Sequence, residues 1–183
     1  VLVGVYPAIL THTVEAGIRT QTLIVGNSGE PGSLDPHVAI STTDGGILTA
    51  LFEGLTALDE QTAQPVPAAA ERWDVSPDGL VYTFHLRSSA RWSNGDPVTA
   101  ADFAFAFQRI LKPEFGAHYA NMLHPIKNAE AFNTGKIRDF STVGVAAADA
   151  HTLRVTVERP TPHLPALAAH WTWLPLHRPS LEK

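Results

Sequence analysis

The sequence predicts a domain of mixed α+β type, an irregular α/β fold rather than a doubly wound parallel sheet. Three observations support this class. Apolar and polar residues alternate as in strands at Leu80–Arg87 and again at Leu153–Glu158. Apolar residues recur at helical spacing after Thr43 and after Thr99. The predicted order is β, α, two or three β, α, α, β, β and a short α, which lacks regular βαβ alternation.

The composition fits one globular domain with extensions. The chain has 183 residues, of which 44% are hydrophobic and 17% charged, and this suits a packed core and argues against disorder. The formal net charge is -5, so no basic field is expected to attract nucleic acid. The sequence contains no cysteine, which excludes disulfides, thiolate metal sites and a lipid-modified cysteine within this chain.

The first 36 residues predict an extension followed by a strand and a loop. Val1–Leu10 is apolar but too short to cross a bilayer as a helix. It is either the tail of a secretory leader or an N-terminal strand or disordered extension, and a start at valine fits a fragment or a processed product. Thr22–Gly26 is a short apolar run that predicts a buried strand. Asn27–Pro36 is rich in Gly, Pro and Asx residues and predicts a loop.

A helix is expected to begin at Thr43 or Asp44, either of which can serve as its N-cap, and to run through Leu55. The apolar residues of this segment share one helical face: Ile47, Leu48, Leu51, Phe52 and Leu55. The segment Gln64–Ala68 follows, and its prolines disfavour helix at the residues before them. It therefore predicts an extended linker.

The stretch Ser76–Phe107 is the most informative part of the chain. Glu71–Val75, just before it, predicts a short strand, and Pro77–Gly79 predicts a tight turn. Leu80–Arg87 then predicts a hairpin strand with one buried face, because apolar side chains occupy every second position. No nucleophile, metal cluster or phosphate loop lies in this stretch, which favours a recognition module over an enzyme.

The aromatic helix that follows carries clear boundary signals. Asn94-Gly95 marks the turn before it, and Thr99 is the candidate N-cap. Asp102, three residues after Thr99, completes a pattern like a capping box. The helix is expected to run to about Leu111 and to stop before Pro113.

The C-terminal third predicts a shorter helix, two strands and a final short helix. The first helix is expected at Ile126–Thr134, with Gly135 just beyond its end. Val143–Ala146 and the alternating Leu153–Glu158 predict strands. The last helix is expected at Ala166–His170.

Motifs for catalysis are absent: no G-x-S-x-G, H-E-x-x-H, Walker or G-x-G-x-x-G pattern occurs. The chain is therefore predicted not to be an enzyme and to bind no cofactor. His163, His170 and His177 recur every seven residues, as metal ligands on one helix would. Prolines between them would break such a helix, so solvated or hydrogen-bonded histidines are favoured over a metal site.

The tryptophans have both structural and functional interpretations. Trp73 and Trp92 end predicted strands next to turns, where core packing is favoured over a ligand-stacking surface. Trp171 and Trp173 are two residues apart, so on an extended segment both would face one way. An inter-domain surface is one place for such a pair.

Several blocks of the sequence recur, in the same order, in one known family. They are L-D-P-H at Leu34–His37, A-L-F-E-G-L at Ala50–Leu55, A-E-R-W-D-V-S-P-D-G at Ala70–Gly79, Y-T-F-H-L-R at Tyr82–Arg87, W-S-N-G-D-P-V-T-A-A-D-F at Trp92–Phe103, G-V-A-A-A-D at Gly144–Asp149, H-T-L-R-V-T-V at His151–Val157 and P-T-P-H at Pro160–His163. These blocks resemble the bacterial oligopeptide-binding proteins, the substrate-capturing subunits of peptide ABC importers. The resemblance covers about Thr22 to Lys183.

The resemblance implies a partial clamshell of the type II periplasmic binding proteins, because full family members are much longer chains. By resemblance, residues 1–21 are an N-terminal extension or leader remnant, and residues 22–51 open the first lobe. Residues 52–176 form the smaller accessory α/β domain, and residues 177–183 return toward the first lobe. The second lobe, which in the family holds most of the groups that fix the peptide, is expected to be absent.

The resemblance also implies five ligand-binding residues: Ile40, Ser41, Thr42, Tyr119 and His170. The first three follow the L-D-P-H block, where the family has an extended edge that pairs with the peptide backbone. Tyr119 matches a family tyrosine at the ligand cleft, and His170 falls near a pocket position. Ordinary packing is the alternative for Tyr119 and His170. The W-S-N-G-D-P-V-T block is implied to be scaffold.

The leading functional expectation is a periplasmic or extracytoplasmic protein that captures short peptides and delivers them to an ABC permease in the membrane. Membrane association of a full-length precursor is left open. Because half of a clamshell cannot desolvate its ligand, this chain alone is expected to bind peptide weakly or not at all. The alternatives are another solute (a dipeptide, a nickel complex or haem) and a stand-alone structural or interaction module that self-associates through the exposed lobe surface.

Overall fold

The computed structural model describes residues 15–22 and 29–182. The chain divides into two compact units, Val1–Glu30 and Pro31–Lys183. The described part of the first unit contains a helical segment at residues 15–20. Val1–Leu10 and most of the strand predicted at Thr22–Gly26 lie outside the described residues. Within the described ranges, no helix has both the length and the apolar character needed to cross a membrane.

The second unit contains both strands and helices. Its strands are β1 (Thr56–Leu58), β2 (Pro65–Pro67), β3 (Ala70–Val75), β4 (Val81–Leu86), β5 (Val145–Asp149) and β6 (Thr152–Thr156). Its α-helices are α1 (Thr42–Leu51), α2 (Ala100–Leu111), α3 (Ala129–Asn133), α4 (Leu164–Leu167) and α5 (Arg178–Leu181). Antiparallel pairing joins β3-β4-β6-β5 into one sheet and β1 with β2 into a separate ladder. This mixture confirms the predicted α+β class.

One face of the four-stranded sheet carries the main core. In β4, Tyr82, Phe84 and Leu86 are buried and alternate with half-buried residues, which confirms the predicted alternation. Because β4 lies between β3 and β6, Phe84 is paired with Trp73 on one side and Leu153 on the other. Full burial of a side chain such as Phe84 contributes about 1.5–3 kcal/mol to the free energy of folding.

Helix α2 packs against β5 and β6 through an inner face of buried aromatic and aliphatic residues, Phe103, Phe107 and Ile110 among them. Its N-terminus confirms the predicted cap. The Asp102 carboxylate accepts hydrogen bonds from the Thr99 backbone N–H at 2.8 Å and from the Thr99 hydroxyl at 2.9 Å. The helix ends at Leu111, as predicted from the following proline.

Helix α1 differs from its prediction at both ends. The N-cap is Ser41, not Thr43 or Asp44, because the Ser41 hydroxyl accepts the Asp44 N–H at 3.1 Å while Asp44 accepts the Ser41 N–H at 3.1 Å. This reciprocal pair is a capping box. The helix ends at Leu51 rather than Leu55, since Phe52 is extended (φ -120°, ψ 163°) and the chain then enters β1.

Two other boundaries were predicted too early. The helix expected at Ile126–Thr134 is confined to Ala129–Asn133, because Asn128 has φ 58°, which a right-handed helix cannot include. The strand expected at Val143–Ala146 begins two residues later, since Val143 caps a 3-10 turn at Phe140–Thr142. The left-handed residue predicted just after the helix, Gly135, has φ 74°.

The last predicted helix and the tryptophan pair also need correction. Helix α4 begins two residues before the expected Ala166–His170 and ends at Leu167, because Pro165 occupies a position in the first turn, where proline is tolerated. Trp171 and Trp173 lie on a 3-10 turn, not on an extended segment. They therefore do not face one way. Trp173 is fully buried against Phe107 at 5.0 Å between ring centroids, whereas Trp171 is only half-buried.

Candidate functional site

The structure brings together three of the five predicted ligand-binding residues, Ile40, Tyr119 and His170. The Tyr119 hydroxyl donates a hydrogen bond of 3.3 Å to the carbonyl oxygen of Ile40, 79 residues earlier in the chain. The Tyr119 ring meets the imidazole of His170 edge-on, with centroids 6.2 Å apart. Ile40 and Tyr119 are 54% and 37% exposed, so this contact lies at the surface of the second unit.

Trp171 completes what we call the aromatic cluster, formed by Tyr119, His170 and Trp171. The His170 and Trp171 rings stack at 3.9 Å between centroids with a tilt of 31°. Tyr119 meets Trp171 edge-on at 6.0 Å. Trp171 also lies against Gly45 of helix α1. Sequence reasoning singled out Trp171 but did not place it beside Tyr119, because only the tertiary fold brings these residues together.

His170 is held in a defined protonation state. Its Nδ1 accepts the Thr172 backbone N–H at 3.3 Å and lies 2.9 Å from the Thr172 hydroxyl oxygen. Because a backbone N–H can only donate, the ring proton is assigned to Nε2. Burial lowers the pKa of His170 below its ordinary value, so the imidazole is neutral at pH 7. The cluster thus offers flat aromatic surface, a ring N–H and no charge.

The segment expected to pair with a peptide is only partly extended. Ser41 has extended backbone angles (φ -106°, ψ 156°), but Thr42 is the first residue of helix α1, so the prediction that Thr42 lies on an extended edge is wrong. Asp44 already accepts the backbone N–H of Ile40 at 3.2 Å and of Ser41 at 3.1 Å. The same carboxylate accepts the Gly32 N–H at 2.8 Å.

The buried Asp44 carboxylate therefore links Gly32, near the start of the Pro31–Ser41 segment, to Ile40 and Ser41 at its end. Burial alone would raise the pKa of its carboxyl, but hydrogen bonds from Ser41, Gly32 and Ile40 outweigh it and lower that pKa. The ionised form is the one that accepts these bonds. The N–H groups of Ile40 and Ser41 are thus already bonded to Asp44. The Ile40 carbonyl, in contrast, bonds to Tyr119 of the aromatic cluster.

A second carboxylate, that of Asp35 within the same segment, links the segment to helix α2. Asp35 forms a bidentate ion pair with Arg109 of helix α2, at 3.0 Å and 2.6 Å. Nδ1 of His37 accepts a hydrogen bond from the same guanidinium at 2.9 Å. The Arg109 guanidinium lies 4.2 Å from the centroid of the Phe115 ring. We call Asp35, His37, Arg109 and Phe115 the arginine anchor.

The electrostatics of the arginine anchor favour one protonation state. His37 is 3% exposed, and burial followed by the neighbouring Arg109 charge lowers its pKa to about 3. For Asp35, burial acts to raise the pKa, but the Arg109 guanidinium and the His37 backbone N–H outweigh it and lower the pKa. At neutral pH the anchor therefore consists of a carboxylate, a guanidinium and a neutral imidazole.

A separate groove of about 680 Å³ shares no lining residue with the aromatic cluster. Its apolar and aromatic lining includes Leu51, Phe52, Trp92, Leu176 and Leu181. Glu53 and Arg87, which also line it, form an ion pair. The W-S-N-G-D-P-V-T block, predicted to be scaffold, contributes Trp92 and Ser93 to this lining. The sequence did not indicate the groove.

The histidines spaced by seven lie on separate elements. His163 precedes α4, His170 belongs to the aromatic cluster, and His177 pairs with Asp96 at 3.0 Å while packing on Trp92. Across residues 15–22 and 29–182, no group of three or more His, Cys, Asp or Glu side chains is arranged to hold a metal ion.

Known proteins resemble this chain in sequence and fold. The sequence model of the bacterial extracellular solute-binding proteins, family 5, middle region, matches residues 64–178. The oligopeptide-binding protein OppA of Bacillus subtilis (strain 168) is 40% identical over 162 residues, which are 88% of this chain and 29% of that protein.

Solved structures agree. The substrate-binding domain of an oligopeptide ABC transporter from Bacillus anthracis superposes with a TM-score of 0.83 and 42% identity, over 87% of this chain and 30% of that one. OppA of Haemophilus influenzae, in complex with RPPGFSPFR, gives a TM-score of 0.82 and 39% identity, over 86% and 31% of the two chains. The chain thus spans about 30% of the length of these relatives. It belongs to the bacterial extracellular solute-binding proteins of family 5.

Proposed function

We propose that this chain forms part of the peptide-binding component of an ABC importer, with Ile40, Ser41, Thr42, Tyr119 and His170 at its ligand site. The observation that carries the proposal is the hydrogen bond between Tyr119 and the Ile40 carbonyl. It joins the segment after the L-D-P-H block to the aromatic cluster at one exposed place. Membership of a family whose relatives include a protein solved with RPPGFSPFR supports a peptide as the ligand.

The chemistry of the site suits a ligand of variable sequence. The Ile40 carbonyl is a backbone acceptor, and the tyrosine bond that it accepts is long at 3.3 Å, so a peptide N–H can replace it at small cost. Main-chain hydrogen bonds do not depend on the ligand's side chains. The neutral aromatic cluster adds stacking surface for an apolar or aromatic side chain.

The wider assignment follows the same proposal. Residues 22–51 open the first lobe, residues 52–176 form the accessory domain, and residues 177–183 lead back to the first lobe. The working protein is extracytoplasmic, and its partners are short peptides and a membrane permease. Other solutes, such as a dipeptide, a nickel complex or haem, remain alternatives to the oligopeptide. Parallel titrations with a tripeptide, a dipeptide, Ni²⁺–histidine and haem separate them.

The experiment is a nuclear magnetic resonance titration of the ¹⁵N-labelled chain with a mixture of short peptides. We expect chemical-shift changes at Ile40, Tyr119 and His170, with a dissociation constant of about 1 mM or weaker. Such weak binding follows because this site encloses only part of a ligand. Tyr119→Ala should reduce the response, whereas His118→Ala, which changes the exposed neighbour, should preserve it.

Two outcomes would contradict the proposal. One is the absence of shifts at these residues up to about 10 mM peptide, and the other is a response confined to the groove around Trp92. Submillimolar affinity would instead contradict the expectation that this portion of a clamshell binds weakly.

A second candidate function is a stand-alone interaction module that pairs with another copy of itself. The exposed leucines of the groove, Leu51 at 63% and Leu181 at 47%, favour it. Covering neighbouring apolar side chains on a surface lowers the free energy of the protein in water. Light scattering coupled to size exclusion tests it. A dimer that Leu51→Glu converts to monomer supports self-association, and a strict monomer at about 0.5 mM contradicts it.

A further inference from the structure

We infer that Arg109 is a positioning residue, which holds the Pro31–Ser41 segment so that the Ile40 carbonyl faces the aromatic cluster. Among the described residues, the guanidinium of Arg109 bonds to Asp35 and His37 and lies on the Phe115 ring, and none of its hydrogen bonds or ring contacts reaches that cluster. Its effect on a ligand would pass through Asp35, His37 and the turn that they begin. The inference rests on the proposed peptide site for its functional meaning, but its structural part can be tested without any ligand.

The connection from Arg109 to Ile40 is short and made of hydrogen bonds. Both carboxylate oxygens of Asp35 are fixed by the guanidinium. The Asp35 backbone carbonyl then accepts the N–H groups of Val38 and Ala39, each at 3.0 Å. The next residue is Ile40. Fixing Asp35 therefore fixes the turn from which the ligand-site carbonyl projects.

His37 strengthens this connection from inside the turn. The Asp35 side chain accepts the His37 backbone N–H at 2.9 Å, while His37 Nδ1 accepts a hydrogen bond from Arg109 at 2.9 Å. Arg109 thus contacts the turn through two side chains rather than one. Because His37 is buried, its neutral ring can accept from the guanidinium without competition from water.

The anchor differs from an ordinary surface ion pair. Its side chains are only 21% and 28% exposed for Arg109 and Asp35, and the guanidinium also lies on the Phe115 ring. Exposed pairs contribute little because water screens them. Lysine cannot reproduce this arrangement, since its single ammonium provides neither the planar fork nor the stacking surface of arginine.

Ala39, a buried apolar residue of the anchored segment, packs outside the main core. Ala39 belongs to a small separate cluster with Leu48 and Leu174, not to the large cluster beneath the sheet. Loss of the anchor should therefore loosen the Pro31–Ser41 segment while the sheet stays folded. This separation makes a positioning role distinguishable from a general contribution to stability.

The test is hydrogen–deuterium exchange of the wild-type chain and of Arg109→Lys and Arg109→Met. In both variants we expect exchange of the Val38–Ser41 amides to rise by about tenfold or more, with unchanged exchange in β4 and β6. The control is Arg72→Lys, which alters the exposed Arg72–Asp74 ion pair and should change nothing in Val38–Ser41.

A second readout is the peptide titration, in which Arg109→Lys should weaken the response at Ile40 by about tenfold.

Each result decides the inference. Wild-type protection and peptide response in Arg109→Lys and Arg109→Met would overturn it. Exchange that rises equally in the sheet and in Val38–Ser41 would also overturn it, since Arg109 would then act through global stability. If the wild-type chain gives no peptide response, the proposed peptide site fails, yet faster exchange confined to Val38–Ser41 would still establish that Arg109 positions this segment.

Discussion

Gly45 and Trp171 are in direct contact across the candidate site, with no room for a side chain between them. A Cβ atom added to Gly45 would lie 2.7 Å from Cζ3 and 2.8 Å from Cε3 of the Trp171 indole. These separations are well below van der Waals contact, and a rigid indole cannot bend away as a flexible chain end would. The packing of helix α1 against the aromatic cluster therefore requires glycine at this position.

Gly45→Ala should destabilise the fold and displace Trp171. Alanine favours a helix by about 0.5–1 kcal/mol over glycine, but overpacking costs about 1–3 kcal/mol, so a net loss of stability is expected. The matched control is Gly46→Ala on the same helix, where the added Cβ meets no neighbour and the propensity gain should remain. Denaturant unfolding of both variants checks the opposite signs, and equal effects at the two glycines would refute the steric argument.

Thr56 and Pro165 form the buried hydrogen bond that joins β1 to α4. Thr56 is 1% exposed, and its hydroxyl donates to the Pro165 carbonyl oxygen at 2.6 Å. Thr56→Val keeps the shape but leaves that carbonyl unpaired, so we expect a loss of about 1–3 kcal/mol in unfolding free energy. Thr49→Val, an exposed change in α1, should stay within about 0.5 kcal/mol. A Thr56→Val effect no larger than the control would mean that water or a backbone shift satisfies the carbonyl.

The local parts of this fold were predictable from the sequence. The alternation in β4 and the Thr99–Asp102 cap of α2 depend on neighbouring residues, and the structure confirms both. Boundaries failed where a single residue changed the backbone. Asn128, with its positive φ, delays α3, and Ser41 displaces the predicted cap of α1. A pattern of apolar spacing carries no information on either event.

The candidate site was only partly predictable, for a different reason. The resemblance identified Ile40, Tyr119 and His170, but not the residues that hold them. Asp44 looked like a local helix cap, and its bonds to Gly32 and Ile40 arise only when the loop folds back. No pattern in the sequence marked Arg109, because its partners Asp35 and His37 lie 74 and 72 residues earlier. Such contacts are set by tertiary packing, which no spacing in the sequence reports.

Two substitutions at Tyr119 distinguish the contribution of its hydroxyl to peptide binding from that of its ring. Tyr119→Phe removes the hydrogen bond to the Ile40 carbonyl but keeps the edge-on contacts with His170 and Trp171. If a peptide N–H replaces the hydroxyl on binding, the phenylalanine variant should bind as tightly as wild type or up to about fivefold more tightly, since no bond must be broken. Tyr119→Ala should weaken binding by about tenfold, because the stacking surface is lost. Both are measured by peptide titration, and equal weakening in the two variants would mean that the hydroxyl itself contacts the ligand.

The buried imidazole of His37 should make the protein less stable in mild acid. Its pKa falls from the ordinary 6.5 to about 3 in the folded state. Between these values the unfolded chain binds a proton that the folded chain excludes, so stability is fully present above pH 6.5 and falls as the pH drops toward 3. One such group gives a slope of at most about 1.4 kcal/mol per pH unit.

His37→Gln, which keeps a side-chain acceptor for Arg109, should flatten the pH dependence of the unfolding free energy between pH 6.5 and about 4.5, before the carboxyl groups titrate. His163→Gln leaves the arginine anchor in place and should keep the wild-type slope. Chemical denaturation at stepped pH measures all three chains, and an unchanged slope in His37→Gln would show that His37 accepts its proton without unfolding.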